Sequence, residues 1–213
     1  MIAGEAEARH WLRTLPECDD AAFARLELLV AMLGEENQRQ NLVSQASLAA
    51  VWQRHIADSA QLLLLAPGAS LSPWLDLGAG AGFPGLVIAA LHPEWDVVLV
   101  ESRPLRTDWL ERARTVLGLE QVRVVTSRLE KLETVPMAAI SARAFAPWGK
   151  LLDLSARFST PDTQWLLPKG RSAQQELSDL RGWHHMFHVE HSLTDPEAGI
   201  VTGKLLGRKG RKS

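Results

Sequence analysis

The sequence predicts an α/β fold in which a doubly wound, mostly parallel sheet follows an N-terminal helical extension. From residue 74 onward, apolar runs of strand length alternate with stretches of helical length. Glycines crowd the turn after the first of these runs, and residues before 67 carry only helical spacing. We therefore expect a helical cap at residues 1–66 and a sheet-containing core at residues 67–213, together forming a single compact unit.

Two helices are predicted in the cap. Over residues 20–33, apolar residues recur at helical spacing behind an acidic cap, and Gly34 then breaks the pattern. Ser47 is the predicted cap of a second helix, which the Pro67-Gly68 pair ends.

Strands and helices of the core are predicted to alternate, with no helix expected between the third and fourth strands. The expected strands are residues 74–77, 97–101, 122–125, 137–142 and 165–168. The expected helices are residues 85–91, 107–117, 148–158 and 172–180, and two further extended stretches follow at 184–190 and 200–206. Because strands and helices follow this alternating rhythm, the first five strands should run parallel.

Composition excludes several classes of protein. Cys18 is the single cysteine, so an internal disulfide is not possible. The apolar run at residues 62–66 is far shorter than the roughly 20 residues that span a bilayer, and no signal-peptide pattern is present. We expect a cytoplasmic protein without membrane contact.

Charge is unevenly distributed along the chain. The formal net charge is −2, so any nucleic-acid contact must come from a local patch. A basic tail carries Lys204, Arg208, Lys209, Arg211 and Lys212. Charge alone favours a solvated terminus there over a nucleic-acid contact.

The turn after the first strand indicates a nucleotide ligand. Gly80-x-Gly82-x-x-Gly85, with Glu101 about 20 residues further on, satisfies the dinucleotide fingerprint. Asp76, however, stands at the strand end, where its charge would repel a pyrophosphate and attract the amino group and sulfonium of S-adenosylmethionine. We favour the methyl donor, with a dinucleotide and a ligand-free glycine turn as the alternatives.

Several motifs resemble one family across most of the chain. They are Asn41-Leu42, residues 54–59 (Arg-His-Ile-Ala-Asp-Ser), residues 76–85 with Gly-Phe-Pro-Gly, residues 128–130, Arg143-Ala144 and Lys169-Gly170. With these the chain resembles the RsmG (GidB) family, S-adenosylmethionine-dependent methyltransferases that modify guanine N7 in small-subunit ribosomal RNA. The resemblance implies a Rossmann-like class I methyltransferase sheet ending in an antiparallel pair. It also implies 16S ribosomal RNA, or the small ribosomal subunit, as the partner of a monomer.

Donor-site residues are assigned from strand order and from this resemblance. Ligands of doubly wound sheets lie beyond the carboxyl ends of the strands, so Gly78, Gly80 and Phe83 should line the donor pocket. Glu101 should accept both ribose hydroxyls. Around the adenine and the methyl group the expected contacts are Leu129, Glu130 and Arg143, although Glu130 has a surface ion pair with Arg128 or Lys131 as its alternative.

The acceptor side is expected to work without a general base. Guanine N7 carries a lone pair and no proton, so catalysis reduces to alignment of the reacting atoms. Arg54, His55 and Asp58 lie within one helical turn, where Asp58 could pair with either neighbour. By resemblance they border the donor pocket or the RNA, but none is a certain catalytic residue. A dinucleotide-dependent oxidoreductase and a non-catalytic RNA-binding protein remain alternatives.

The expected RNA contacts are local. Arg54, Lys169 and the basic tail should contact phosphates around the donor pocket, with a solvated lysine as the alternative at Lys169. Trp148 and Phe145 are the candidates for stacking on RNA bases. The other tryptophans in apolar patterns are expected to lie in the core: Trp52, Trp74, Trp109 and Trp165. No metal site is predicted, because strand spacing splits His184, His185, His188 and His191 between two faces.

Overall fold

A computed structural model describes residues 1–66, 70–143 and 147–210 of the chain. The cap contains α1 (Glu5–Leu12), α2 (Asp20–Glu36) and α3 (Gln45–Leu48). A continuous helical segment follows, with a π-helical turn at Trp52–Ala57, α4 at Asp58–Ala60 and a 3₁₀ turn at Gln61–Leu65. Helix α1 is absent from the sequence prediction, and the predicted helix end at residues 67–68 lies outside the described residues.

The core alternates strands and helices as predicted. Its parallel strands are β1 (Trp74–Leu77), β2 (Val97–Glu101), β3 (Val122–Thr126), β4 (Ala139–Ala142) and β5 (Gln164–Lys169). The helices are α5 (Gly85–Leu91), α6 (Pro104–Val116), α7 (Trp148–Ser155) and α8 (Ala173–Ser178). The last strands are β6 (Trp183–His185), β7 (His188–His191), β8 (Gly199–Gly203) and β9 (Leu205–Arg208).

The described strands form a seven-stranded sheet in the order β3-β2-β1-β4-β5-β8-β7. Strand β8 runs antiparallel to both β5 and β7, which confirms the expected antiparallel ending. The single strand predicted at residues 184–190 is instead two strands, because β6 leaves the main sheet to pair with β9. Gly203 allows this separation, since a Cβ there would lie 2.3 Å from the Met186 carbonyl oxygen.

Side chains of the sheet alternate between two hydrophobic layers. In β2, Val97 and Leu99 pack with the cap, α5 and α6, whereas Val98 and Val100 pack with the side that carries α7 and α8. The four tryptophans predicted to lie in the core are all buried: Trp52, Trp74, Trp109 and Trp165. Both faces of the sheet are therefore covered, as in a doubly wound fold.

The two cap predictions differ from the structure in detail. Helix α2 continues through Gly34 to Glu36, because the buried Glu36 carboxylate accepts from Gln40 at 2.7 Å and pairs with Arg112 at 2.9 Å. Ser44 rather than Ser47 caps α3, since its Oγ accepts the backbone N–H of Ser47. Among the helices of the described ranges, none has the length and apolar character required to cross a bilayer.

Replacing Gly85 by alanine is expected to destabilise the protein by about 1 to 3 kcal/mol, because the new methyl group overpacks the interior. Its Cβ would lie 2.2 Å from Leu99 Cδ2 and 2.9 Å from Asp76 Oδ2. Urea unfolding measures the loss. Gly34→Ala is the matched control: its Cβ meets nothing within 4 Å, so alanine in helix α2 should stabilise by roughly 0.5 to 1 kcal/mol. Equal effects of both substitutions would contradict the packing argument.

Candidate functional site

Asp76 holds the glycine turn after β1 through hydrogen bonds. Gly78, Gly80 and Gly82 have φ angles of 66, 56 and 99 degrees, which side-chain-bearing residues rarely adopt. Asp76 Oδ2 accepts the Gly85 N–H at 3.0 Å, and Oδ1 accepts the Ser141 hydroxyl at 2.8 Å. Asp76 therefore connects the turn to the neighbouring strand β4.

Asp76 itself is buried, whereas the sequence prediction placed its charge beside the amino group and sulfonium of the ligand. Its side chain lies on the same face of β1 as Trp74, and it has no exposed surface. Burial raises the pKa of Asp76 to about 6, even though the hydrogen bonds and Arg143 act to lower it. Asp76 thus positions the glycine turn and does not line a cavity.

A cavity of about 400 Å³ opens beyond the carboxyl ends of β1, β2 and β3, and we call it the donor cavity. Four of the predicted donor-site residues line it: Gly78, Glu101, Leu129 and Glu130. Gly80 and Phe83 were expected in its wall, but both are buried and neither lines it. Gly80 instead donates its N–H to Glu101 at 3.2 Å.

Glu101 is oriented by the backbone around it. Its Oε1 accepts the N–H groups of Ser102 at 2.7 Å and Arg103 at 3.0 Å, while Oε2 accepts that of Gly80. The residue is 7% exposed, so it is not a solvated acid at a strand end. A carboxylate offers about four acceptor sites, and the remaining capacity faces the donor cavity.

Leu129 and Glu130 occupy a short 3₁₀ turn after β3. Leu129 is buried, and Arg157 donates to its carbonyl oxygen at 2.5 Å. The Glu130 side chain is exposed and forms no ion pair with Arg128 or Lys131 among the described residues. The surface ion pair considered from the sequence is therefore absent.

A second cavity of about 990 Å³ lies at the same edge of the sheet, beyond β4, β5 and β8, and we call it the acceptor cavity. Five of the titratable residues predicted for the site line this cavity together: Arg54, His55, Asp58, Arg143 and Lys169. They come from the π-helical turn, α4 and the ends of β4 and β5. Residues from α8 and the β7–β8 loop complete the lining.

His55 lies between Phe83 and Arg143. Its ring stacks on Phe83 with centroids 4.9 Å apart, and Arg143 Nη1 lies 3.0 Å from His55 Nδ1. A guanidinium only donates, so Nδ1 accepts and the ring proton resides on Nε2. Burial, followed by the charges of Arg143 and Arg54, lowers the pKa of His55 to about 3. The imidazole is therefore neutral, with its accepting nitrogen already used.

Asp58 faces away from its predicted helical neighbours. Its Oδ1 accepts from the Thr194 hydroxyl at 2.7 Å and from Gln61 at 2.8 Å, and Oδ2 lies 3.8 Å from Arg143. Burial raises the pKa of Asp58, against the opposing effects of the Thr194 hydrogen bond and Arg143. One acceptor-cavity carboxylate is thus tied to the β7–β8 loop.

The ion pairing predicted within this helix was wrong. Arg54 pairs with Asp195 at 3.0 Å, and neither Arg54 nor His55 pairs with Asp58. The helix is π-helical from Trp52 to Ala57, with a wider turn than an α-helix, so α-helical neighbour spacing does not apply. Arg54 and Asp58 instead contact residues that are distant in sequence.

Lys169 is held in the wall of the acceptor cavity. Its Nζ lies 2.8 Å from Glu176 and 5.3 Å from the centre of the Trp148 ring. Burial raises the pKa of Glu176, but hydrogen bonds from Lys169 and Ser172 outweigh it and hold that pKa below its usual value. Trp148 lines the cavity but is buried, which limits the stacking surface predicted for it, and Phe145 lies outside the described residues.

The described residues of the basic tail do not line the donor cavity. Lys204 lies near Asp162, where β8 passes the start of β5, and this is the opposite edge of the sheet. Arg208 belongs to β9, where it pairs with Asp153 and covers Trp183. The Lys209 N–H bonds to Gly182. Arg211 and Lys212 lie outside the described residues.

Comparisons with known proteins agree with this geometry. The fold superposes on that of a MtNAS mutant in complex with S-adenosylmethionine, with a TM-score of 0.58 at 14% identity, covering 95% of this chain and 84% of the other. It also matches an S-adenosylmethionine-dependent O-methyltransferase from Thermotoga maritima, with a TM-score of 0.52 at 15% identity over 72% and 66% of the chains. The sheet is that of a class I S-adenosylmethionine-dependent methyltransferase.

A more specific assignment comes from sequence relatives. Residues 22–195 match the model of a family described as rRNA small subunit methyltransferase G, and the chain belongs to this GidB family. Curated relatives named ribosomal RNA small subunit methyltransferase G include one from Novosphingobium aromaticivorans, 61% identical over 98% of this chain and 91% of the relative. Another, from Erythrobacter litoralis, is 56% identical over 96% and 98%. The chain is thus a methyltransferase, which rules out the oxidoreductase and the non-catalytic alternative.

Proposed function

We propose that this methyltransferase transfers the methyl group of S-adenosylmethionine to N7 of a guanine in small-subunit ribosomal RNA. The donor would occupy the donor cavity, and the guanine would enter the acceptor cavity beside it. One observation supports N7 as the methylated atom. Among the described residues of the acceptor cavity, the histidine that would serve as a general base already uses its accepting nitrogen.

Residues of the donor cavity fit this cofactor. The ribose of S-adenosylmethionine carries two hydroxyl donors, and Glu101 offers a fixed carboxylate to receive them. Leu129 and Glu130 would border the adenine, and Gly78 leaves backbone without a side chain beside the ligand. When bound, the cofactor supplies an electrophilic methyl group on a sulfonium.

Proton accounting favours N7 over an amine or a hydroxyl. An exocyclic amine or a ribose hydroxyl loses a proton during methylation, so either benefits from a positioned base. His55 has a pKa of about 3 and carries its ring proton on Nε2, while Asp58 Oδ1 already accepts two hydrogen bonds. Guanine N7 needs no base, and the cavity then has only to hold the ring in line with the methyl group.

The charges that line the cavity suit the products of this reaction. Methylation moves a positive charge from sulfur to the guanine ring, so the number of charges does not change. Asp58 Oδ2, which faces the cavity near Arg143, would stabilise the methylated base. We further infer that the protein acts as a monomer in the cytoplasm, where its ribosomal RNA substrate is found.

Methylation with isotope-labelled S-adenosylmethionine tests the proposal on small-subunit RNA and on purified small subunits. Reduction and aniline cleavage, which cut the chain at N7-methylguanine, should release a single labelled site. The maximal rate should stay flat between about pH 7 and pH 8, because this range lies above the pKa of about 6 of the buried Asp76 and no base of the acceptor cavity is required. Label on an exocyclic amine, or a rate that rises with pH, would contradict transfer to N7.

A further inference from the structure

We propose that RNA phosphates bind four basic side chains around the donor cavity, Arg103, Arg106, Arg128 and Lys150, which we call the donor rim. This inference rests on the proposed function, since it assigns a contact surface for the same RNA. It replaces the basic tail as the main electrostatic contact. The two surfaces can be tested separately, because no described residue of the tail lines the donor cavity, although Arg208 pairs with Asp153 on the helix that carries Lys150.

The donor rim is distinguished by basic side chains that have no ion-pair partner among the described residues. Within the described residues, none of its four side chains forms an ion pair. By contrast, Arg54, Lys169 and Arg208 each pair with a carboxylate of the chain. Three rim residues are also exposed: Arg103, Arg128 and Lys150.

Like charges that share one cavity repel each other, and a bound anion relieves that repulsion. The donor itself does not fill this role, because a sulfonium, an ammonium and a carboxylate give it a net positive charge. The two carboxylates of the cavity do not fill it either. Glu101 is engaged by backbone N–H groups, and Glu130 forms no ion pair in the described residues. A polyanion that lies across the cavity mouth fits the charges of the rim.

Helix α7 connects the rim to the acceptor cavity. Trp148 and Gly149 line the acceptor cavity, and Lys150, the next residue, lines the donor cavity. An RNA strand that inserts a guanine beside Trp148 would therefore contact Lys150 directly. The strand could continue over Arg128, just after the end of β3. Phosphates on this path would neutralise the rim while the base is held for methylation.

Two matched double variants test the donor rim. R128Q/K150Q removes two rim cations. R123Q/K209Q removes one exposed arginine and one exposed lysine elsewhere, and these also lack ion pairs in the described residues. Arg123 lies near the start of β3, away from the cavity. Binding of a small-subunit ribosomal RNA transcript is measured over a series of salt concentrations, together with methylation and S-adenosylmethionine affinity.

We expect R128Q/K150Q to flatten the salt dependence by about 1.4 in log–log slope, at roughly 0.7 for each phosphate contact of single-stranded RNA. Its KM for RNA should rise at least 10-fold, with unchanged affinity for the cofactor. R123Q/K209Q should behave as the parent. If R128Q/K150Q keeps the parent's slope and KM, or if the control flattens the slope instead, the donor rim is not the RNA surface. Failure of the parent to methylate any RNA would overturn the proposed function instead.

Discussion

Replacing Glu101 by alanine is expected to weaken S-adenosylmethionine binding at least 100-fold. Two hydrogen bonds from the ribose to a charged acceptor would be lost, at about 1.5 to 3 kcal/mol each, and 1.4 kcal/mol corresponds to a factor of 10 in affinity. The substitution also frees the N–H groups of Gly80, Ser102 and Arg103, which now hold the turn beside the ligand. Titration calorimetry measures the loss.

Glu130→Ala is the matched control for Glu101→Ala. Both carboxylates line the donor cavity, but the Glu130 side chain is exposed and is not held by the surrounding backbone. We expect its removal to weaken the cofactor by no more than about 1 kcal/mol, as for an exposed polar contact. Thermal unfolding separates lost binding from lost folding. A folded Glu101→Ala variant with the parent's affinity would mean that the ribose binds elsewhere.

The second large effect is expected for Arg143→Met, which retains a long side chain and removes every donor. The maximal methylation rate should fall about 100-fold, since misplacement of reacting groups by about 1 Å has that order of effect. Arg143 anchors the His55 ring at 3.0 Å and lies 3.8 Å from Asp58, so its loss frees two walls of the acceptor cavity. We therefore regard Arg143 as a positioning residue.

A titration distinguishes this role from general destabilisation. Arg143 is one of the charges that lower the pKa of His55, so the pKa in Arg143→Met should rise above about 3 while burial keeps it below 6.5. Histidine NMR signals report this shift directly. Arg114→Gln, which removes an arginine that pairs with Glu111 and lines neither cavity, should leave the maximal rate near that of the parent. A slow Arg143→Met variant with an unchanged His55 pKa would show that the two side chains do not interact in solution.

The donor half of the site was predictable because its signals are local in sequence. A glycine turn at a strand end and an acid at the next strand end are placed by the sheet alone, and Gly78 and Glu101 line one cavity as expected. Asp76 was expected beside the ligand for an equally local reason, its place at the strand end. It shares a face of β1 with Trp74, and the alternation of the strand turns it toward the buried layer under α5.

The acceptor half depends on contacts that sequence spacing does not contain. Thr194 and Asp195 reach Asp58 and Arg54 from 136 and 141 residues away, and a π-helical turn changes which side chains are neighbours. Lys204 carries the same charge as a phosphate-binding lysine, yet the direction of β8 takes it to the far edge of the sheet. Helix α1 was missed although Glu5 caps the π-helical turn through the N–H groups of Trp52 and Gln53.

The hydrogen bonds around Asp58 also constrain how this protein can evolve. Asp58 and Gln61 on one segment interlock with Ser192 and Thr194 on another, and all four are polar groups in a largely buried place. Loss of any one member removes a hydrogen bond from two of the others, at a cost of about 1 to 3 kcal/mol. Selection should therefore remove single substitutions in this cluster. Substitutions that persist should occur together with a compensating change at a partner position. Positions 58, 61, 192 and 194 are expected to covary among descendants of this gene, as one inherited unit.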